Sequence, residues 1–169
     1  LRSRHMTPLV TLHHFTEPLW FVERGGFADA RNVRYFIRYV KFVVHALGDL
    51  CAFWVTLNEP NVYAFQGYLR GEFPPGEQDL FRAFTVLRNM MQAHVEAFYA
   101  IRELQPRAQI GYCLHYRLFD PLNPFSLLDR SAASIQEQFF NWSVLNAAES
   151  GRFTFPIGTL FAGIPGAVG

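Results

Sequence analysis

Asn58 and Glu59 set an amide beside a carboxylate, and Pro60 follows them directly. An amide both donates and accepts hydrogen bonds, and a carboxyl group can give up a proton and take it back, so the pair could hold a polar substrate and do acid/base work on it. His14 stands at the end of another apolar run, where a histidine by itself can equally belong to core or to site. The run Ala52-Phe53-Trp54-Val55-Thr56-Leu57 leads into Asn58 and reads as a buried strand. Neighbours on a regular strand point to opposite faces, so Asn58 and Glu59 reach one mouth only if the chain twists there. Pro60 biases Glu59 towards extended geometry and ends the ladder. Carboxylates at the C-terminal ends of parallel strands are where α/β barrels carry their catalysis.

The elements around these residues repeat one theme. Strands are expected near residues 8–14, 52–58 and 109–115, each apolar first and polar at its end. Between the first two, Asp29 or Asn32 can cap a helix with Val33, Phe36, Ile37, Val40, Val43, Val44 and Leu47 on its apolar face, stopped by Gly48. A long loop is expected over 61–79. A helix follows from near Leu80 to Gln105, with Phe84, Leu87, Met91, Val95, Phe98 and Ile101 as its stripe, and Pro106 closes it. Ser131 to Asn146 reads as another helix, and 151–169 as a glycine-rich tail with no closing element. Strand and helix alternate with long crossovers, the pattern of parallel βαβ units in the α/β class. Three such strands leave open edges, and a closed eight-stranded barrel needs about 250 residues. Residues 1–169 are therefore read as a single incomplete segment of a TIM (β/α)8 barrel, its start at Leu1–Met6 resembling the end of a helix that begins earlier.

Composition narrows the partners. Half of the 169 residues are hydrophobic and 18 are Phe, so a sizeable core is buried and disorder is excluded. A net charge of +1, with basic residues spread along the chain, gives no reason to expect nucleic acid. No apolar run reaches the roughly 18 residues of a membrane helix, and a cytoplasmic location is the default expectation. Cys51 and Cys113 are read as buried free thiols, since neighbouring strands with level ends would hold them about 16 Å apart at ~3.3 Å per residue, beyond the roughly 7 Å a disulfide spans. No His, Cys and carboxylate set has metal-ligand spacing, and no cofactor is expected.

Thr11-Leu12-His13-His14-Phe15, Thr56-Leu57-Asn58-Glu59-Pro60, Gly67-Tyr68 followed by Pro74-Pro75-Gly76, and Ile110-Gly111 stand in the order and spacing of glycoside hydrolase family 1, the β-glucosidase family, which this chain resembles over essentially its whole length. The resemblance implies that strands three to five of a (β/α)8 barrel are present. It implies Glu59 as the general acid/base, Asn58 as the ligand of a sugar 2-hydroxyl and His14 as the ligand of another hydroxyl. The implied substrate is a β-glucoside, β-galactoside or oligosaccharide. Retention of configuration takes two carboxyl groups about 5 to 5.5 Å apart, one donating a proton and one attacking.

Three departures bear on activity. The family nucleophile lies in an Ile-Thr-Glu-Asn-Gly-like motif on the seventh strand, and no such motif occurs here. His115 ends the third strand where the family usually has Asn, and Phe15 follows His14 where Trp is usual. The isolated chain is therefore expected to be inactive towards glycosides, and to associate with itself or with the remaining barrel segments through its open edges. A non-catalytic carbohydrate-binding or scaffolding remnant of the same fold is the alternative. His115 could touch substrate or hold the carboxylate. His13 is read as structural, His45 and His94 as helix-surface or packing residues, and Glu17 as a solvated acid. Trp20, Phe65 and Tyr68 could line a sugar-stacking cleft, with packing the safer reading.

Overall fold

A computed structural model describes residues 1–153 of the chain, so most of the tail read at 151–169 lies outside the described residues. They group into two compact units, Leu1–Leu114 and the stretch from His115 onward.

In the first unit the three apolar runs become strands β1 (Leu9–His13), β2 (Phe53–Asn58) and β3 (Gln109–Cys113). They pair side by side in chain order, all parallel, as long helical crossovers require. Leu9 lies opposite Phe53 and His13 opposite Leu57, so the ends of β1 and β2 are level. The β2–β3 ladder runs from Phe53–Gln109 through Val55–Gly111 to Asn58–Cys113, with an irregularity between Val55 and Asn58.

Helix α1 (Leu19–Glu23) is a short turn after β1, and α2 (Val33–Leu47) follows two 3₁₀ turns. Asp29 caps the second of these turns through the Arg31 N–H, whereas Asn32 spends its amide on the carbonyls of Arg24 (2.8 Å) and Gly26 (3.0 Å). Val33, Phe36, Val40 and Val44 are buried along α2, in line with its sequence stripe. The expected loop after Pro60 is in its first half a helix. Pro60–Ala64 forms α3, continued by a wider π turn over Phe65–Leu69. Pro60 starts it at the first helical position, where its missing N–H costs nothing.

Helix α4 (Leu80–Leu104) is capped by Asp79, which accepts from the Arg82 N–H at 3.0 Å. Leu87, Met91 and Ile101 of the expected stripe are buried, but the rest of the buried face differs from it. Ala83, Ala93, Ala97 and Ala100 are buried beside Val86, Leu87, Met90 and Ile101, while Val95 is exposed and Phe84 and Phe98 are only half-buried. Small side chains let α4 lie close against α2 and the sheet, and the large residues take the margins. Trp54, Leu57, Val40, Val86, Leu87, Met90 and Ile101 form the centre of this core. Each contributes about 1.5–3 kcal/mol by leaving water.

The second unit holds one long helical stretch, α5 (Leu127–Glu137) and α6 (Ser143–Ser150), joined by a π turn over Gln138–Trp142. It begins four residues before the expected Ser131, because Ser126 supplies the cap by accepting from the Asp129 N–H. Buried Asn141 accepts from the Arg117 N–H and donates to its carbonyl, pinning the incoming segment. Among the described residues no helix is long and apolar enough to cross a membrane.

Candidate active site

β2 reaches the mouth of the sheet anchored on its helix-facing side. Buried Trp54 donates its indole N–H to Gln105 (2.8 Å), and the Thr56 hydroxyl lies 2.7 Å from His94 Nδ1 and donates to the Gly111 carbonyl (3.2 Å). His94 is thus a packing residue, set edge-on to Tyr112, and burial lowers its pKa. His45 is exposed.

At the strand's end the geometry departs from expectation. Glu59 does not take the extended backbone that a following proline favours; it adopts φ 45°, ψ 60°, in the left-handed region. Its N–H still donates to the Cys113 carbonyl at 2.9 Å, as a strand residue would, while its carbonyl already accepts from the Tyr63 N–H at 3.1 Å, as a helix cap would. One residue thus makes the whole turn from strand to helix. Phe15, just after β1, also has a positive φ (65°), in a tight three-residue turn in which the Thr16 N–H donates to the His14 carbonyl at 2.8 Å.

These two turns bring the sequence-predicted groups to one edge of the sheet. His14 Nε2 lies 3.4 Å from Asn58 Nδ2, and Glu59 follows Asn58 directly. His14 is exposed, and Asn58 and Glu59 are half-buried, so solvent reaches all three. Phe15 stands edge-on to His14 and tilted against Phe73 (5.9 Å), which carries an aromatic wall beside them. A cleft of about 400 Å³ lies along the end of β1, bordered by His13, His14, Glu17, Trp20 and Tyr35. Trp20 therefore borders open space, whereas Tyr68 is buried and acts in packing.

Gly67 and the Pro74–Pro75 pair, singled out in the sequence as a motif, meet physically: a methyl at Gly67 would come within 2.9 Å of the Pro74 carbonyl oxygen. His13 is buried as expected, its ring edge-on to Phe27, Phe36 and Tyr63. Neither ring nitrogen has an aligned hydrogen-bond partner, and Nε2 faces Glu17 Oε1 at 3.4 Å.

Two readings are corrected. Glu17 is not solvated. Its side chain is 6% exposed, and it accepts the Tyr63 hydroxyl at 2.9 Å. A long-range partner 46 residues away supplies the burial, so no local pattern reveals it. Cys113 is exposed, because it ends a strand with one unpaired edge among the described strands; Cys51 is buried, and both are free thiols. β3 stops at Cys113, so His115 falls in the second unit, where its ring stands edge-on to Phe140. Among the described residues no group of three or more His, Cys, Asp or Glu side chains could hold a metal ion.

Comparison with known proteins gives these residues a context. The model of the Glycosyl hydrolase family 1 matches residues 1–162. A 1,4-beta-D-glucan glucohydrolase of Thermotoga neapolitana is 30% identical over 154 residues, which are 90% of this chain and 36% of the relative. A 6-phospho-beta-galactosidase of Clostridium acetobutylicum is 32% identical over 152 residues, 89% of this chain and 32% of the relative. The structure of a beta-glucosidase from Thermotoga maritima in complex with deoxynojirimycin superposes with a TM-score of 0.86 at 30% identity, covering 94% of this chain and 36% of that one. The chain thus spans about a third of the length of the proteins it matches.

Proposed function

Since the chain belongs to glycosyl hydrolase family 1, its three parallel strands being part of a (β/α)8 barrel, we propose that it carries the proton-donating half of a retaining β-glycosidase. In this reading residues 1–169 are one incomplete barrel segment. Glu59 is the general acid/base, and Asn58 and His14 hold sugar hydroxyls. The observation that carries the reading is the 3.4 Å approach of His14 to Asn58 at the strand ends, immediately beside Glu59.

The chemistry follows from the groups. Glu59 gives its proton to the glycosidic oxygen as the bond to the anomeric carbon breaks, and a second carboxylate attacks that carbon from the opposite face. Glu59, now ionised, takes a proton from the water that releases the sugar. An amide on the 2-hydroxyl adds a hydrogen bond that strengthens as positive charge develops on the ring. The second carboxylate is not supplied within this chain, which has no Ile-Thr-Glu-Asn-Gly-like motif. The polypeptide alone is therefore inactive, and its partners are a β-glucoside or β-galactoside substrate and the remaining barrel segments. A cytoplasmic setting, in which Cys51 and Cys113 stay reduced, belongs to the same reading.

The test is to incubate the chain with an aryl β-glucoside, alone and with polypeptides supplying the missing barrel segments. The expected result is no turnover alone above a Glu59→Gln control, turnover in the mixture, and its loss when the mixture carries Glu59→Gln. Turnover by the lone chain, or an active mixture indifferent to Glu59→Gln, overturns the proposal. Deoxynojirimycin binding without turnover in the mixture would instead support the non-catalytic remnant.

A further inference from the structure

Glu17 is a buried carboxylate with no part in the proposed chemistry. A charge taken out of water is costly unless its partners compensate, so where its bonds go matters. Oε1 accepts the Tyr63 hydroxyl and faces His13, and Oε2 is pressed so close to Gly26 that a methyl there would come within 3.2 Å of it. Burial first, and then the Glu17 charge, push the Tyr63 pKa far above its ordinary value, so the phenol stays a donor at every working pH. Its ring lies tilted against that of Tyr68, centroids 5.8 Å apart.

The chain positions of the two partners are informative. Glu17 stands three residues after His14, across the left-handed turn at Phe15. Tyr63 stands four residues after Glu59, across the left-handed turn that Glu59 makes, and its N–H caps back onto the Glu59 carbonyl. Each left-handed residue is strained and persists only where its surroundings over-determine it. The Glu17–Tyr63 bond joins the far ends of both turns.

We propose that Glu17 and Tyr63 are positioning residues, forming a latch that ties the turn carrying His14 to the helix headed by Glu59 and so keeps the hydroxyl ligand and the proton donor at one spacing. The inference rests on the reading of His14 and Glu59 given above. It names no new contact with substrate. It predicts that loosening either end of the latch loosens both turns, which an ordinary packing contact would not do.

Amide hydrogen exchange on the full chain tests this without catalysis. Tyr63→Phe removes one hydroxyl on α3, and we expect it to speed exchange at the Thr16 N–H, on the other segment, by about tenfold or more, since each 1.4 kcal/mol of lost protection is a factor of ten. Glu17→Ala should do the same at the Tyr63 N–H. Glu17→Gln, which keeps an acceptor for the phenol, should restore most of the protection, and core amides such as that of Met90 should be unchanged in all three. Effects confined to the mutated segment, or spread equally to Met90, overturn the latch. In the mixture reconstituted with the missing segments, Tyr63→Phe should lower kcat/KM by about 10- to 100-fold, the loss that misplacement by ~1 Å brings, with Glu17→Gln partly rescuing what Glu17→Ala loses. If Glu59→Gln abolishes hydrolysis while Tyr63→Phe matches the parent, the latch alone fails; if Glu59→Gln has no effect, the functional reading fails first.

Discussion

Replacing Gln105 by Met should weaken the chain more than any surface change, because one amide there serves three segments. Its Oε1 accepts the indole N–H of Trp54, and its Nε2 donates to the carbonyls of Gly48 and Cys51, at 2.8, 2.9 and 2.9 Å. The end of α2, the entry to β2 and the end of α4 are thus joined through a single side chain. Met has nearly the same length and shape but none of the polar atoms, so packing is kept while all three bonds are lost. At about 0.5–1.5 kcal/mol net each, the three together give roughly 3 kcal/mol. Trp54 is 1% exposed, so its N–H cannot turn to water when Gln105 is gone, which keeps the cost towards the upper part of that range. With a urea slope near ~2 kcal/mol/M, the midpoint should fall by about 1.5 M, the slope staying the same. Unfolding followed by tryptophan fluorescence and by far-UV circular dichroism reads both quantities. A midpoint shift under about 0.5 M at unchanged slope would refute the argument that these bonds, and not the packing around them, fix the strand.

Three further outcomes are expected. Because burial lowers the His94 pKa from its ordinary 6.5, the unfolded chain takes up the proton first as pH falls; stability should be whole above that value and decline as pH drops through and below it, and urea midpoints of His94→Gln should show a flatter decline over the same window. Gly67→Ala drives a methyl against the Pro74 carbonyl oxygen and should cost about 1–3 kcal/mol in the same unfolding assay; a neutral result would mean that the 73–76 turn yields freely. Glu59→Asn removes the proton donor but suits a left-handed backbone better, so it should be as stable as the parent or up to about 1 kcal/mol more stable while inactive in the reconstituted mixture, and a clear loss of stability would count against backbone strain at this position.

The legible parts of the molecule are those written in local pattern. Apolar runs ending in polar residues marked all three strands to within two residues at either end. His14 alone could belong to core or site; the family resemblance set it beside Asn58, and the level ends of β1 and β2 bring the two together. What escaped depends on contacts distant in sequence or on small residues. The alanines of α4 carry the close helix packing, yet a reading keyed to large side chains follows Val95 and Phe98 to the margin. Residues 61–79, rich in aromatics and glycine, read as a loop, although Pro60 at the first helical position was the available signal for α3. Glu17 looked solvated because Tyr63, which buries it, is 46 residues away.

These misses share a cause that bears on the site itself. Trp54 and Thr56 alternate with Val55 and Leu57 along β2, and both use their polar atoms on the side facing α4. They hold the strand up to Thr56, and the β2–β3 ladder becomes irregular between Val55 and Asn58. Beyond that point, regular alternation no longer dictates where Asn58 and Glu59 point. A strand gripped along its length and released at its last residues can bear a costly left-handed turn at Glu59, because the strain has nowhere to relax into the sheet. The same logic applies to Phe15 after β1, where Glu17 supplies the grip from beyond the turn. The polar side chains behind the mouth, Gln105, His94 and Glu17, thus hold the strand and the turns from which His14, Asn58 and Glu59 stand in positions that neither strand nor helix would provide.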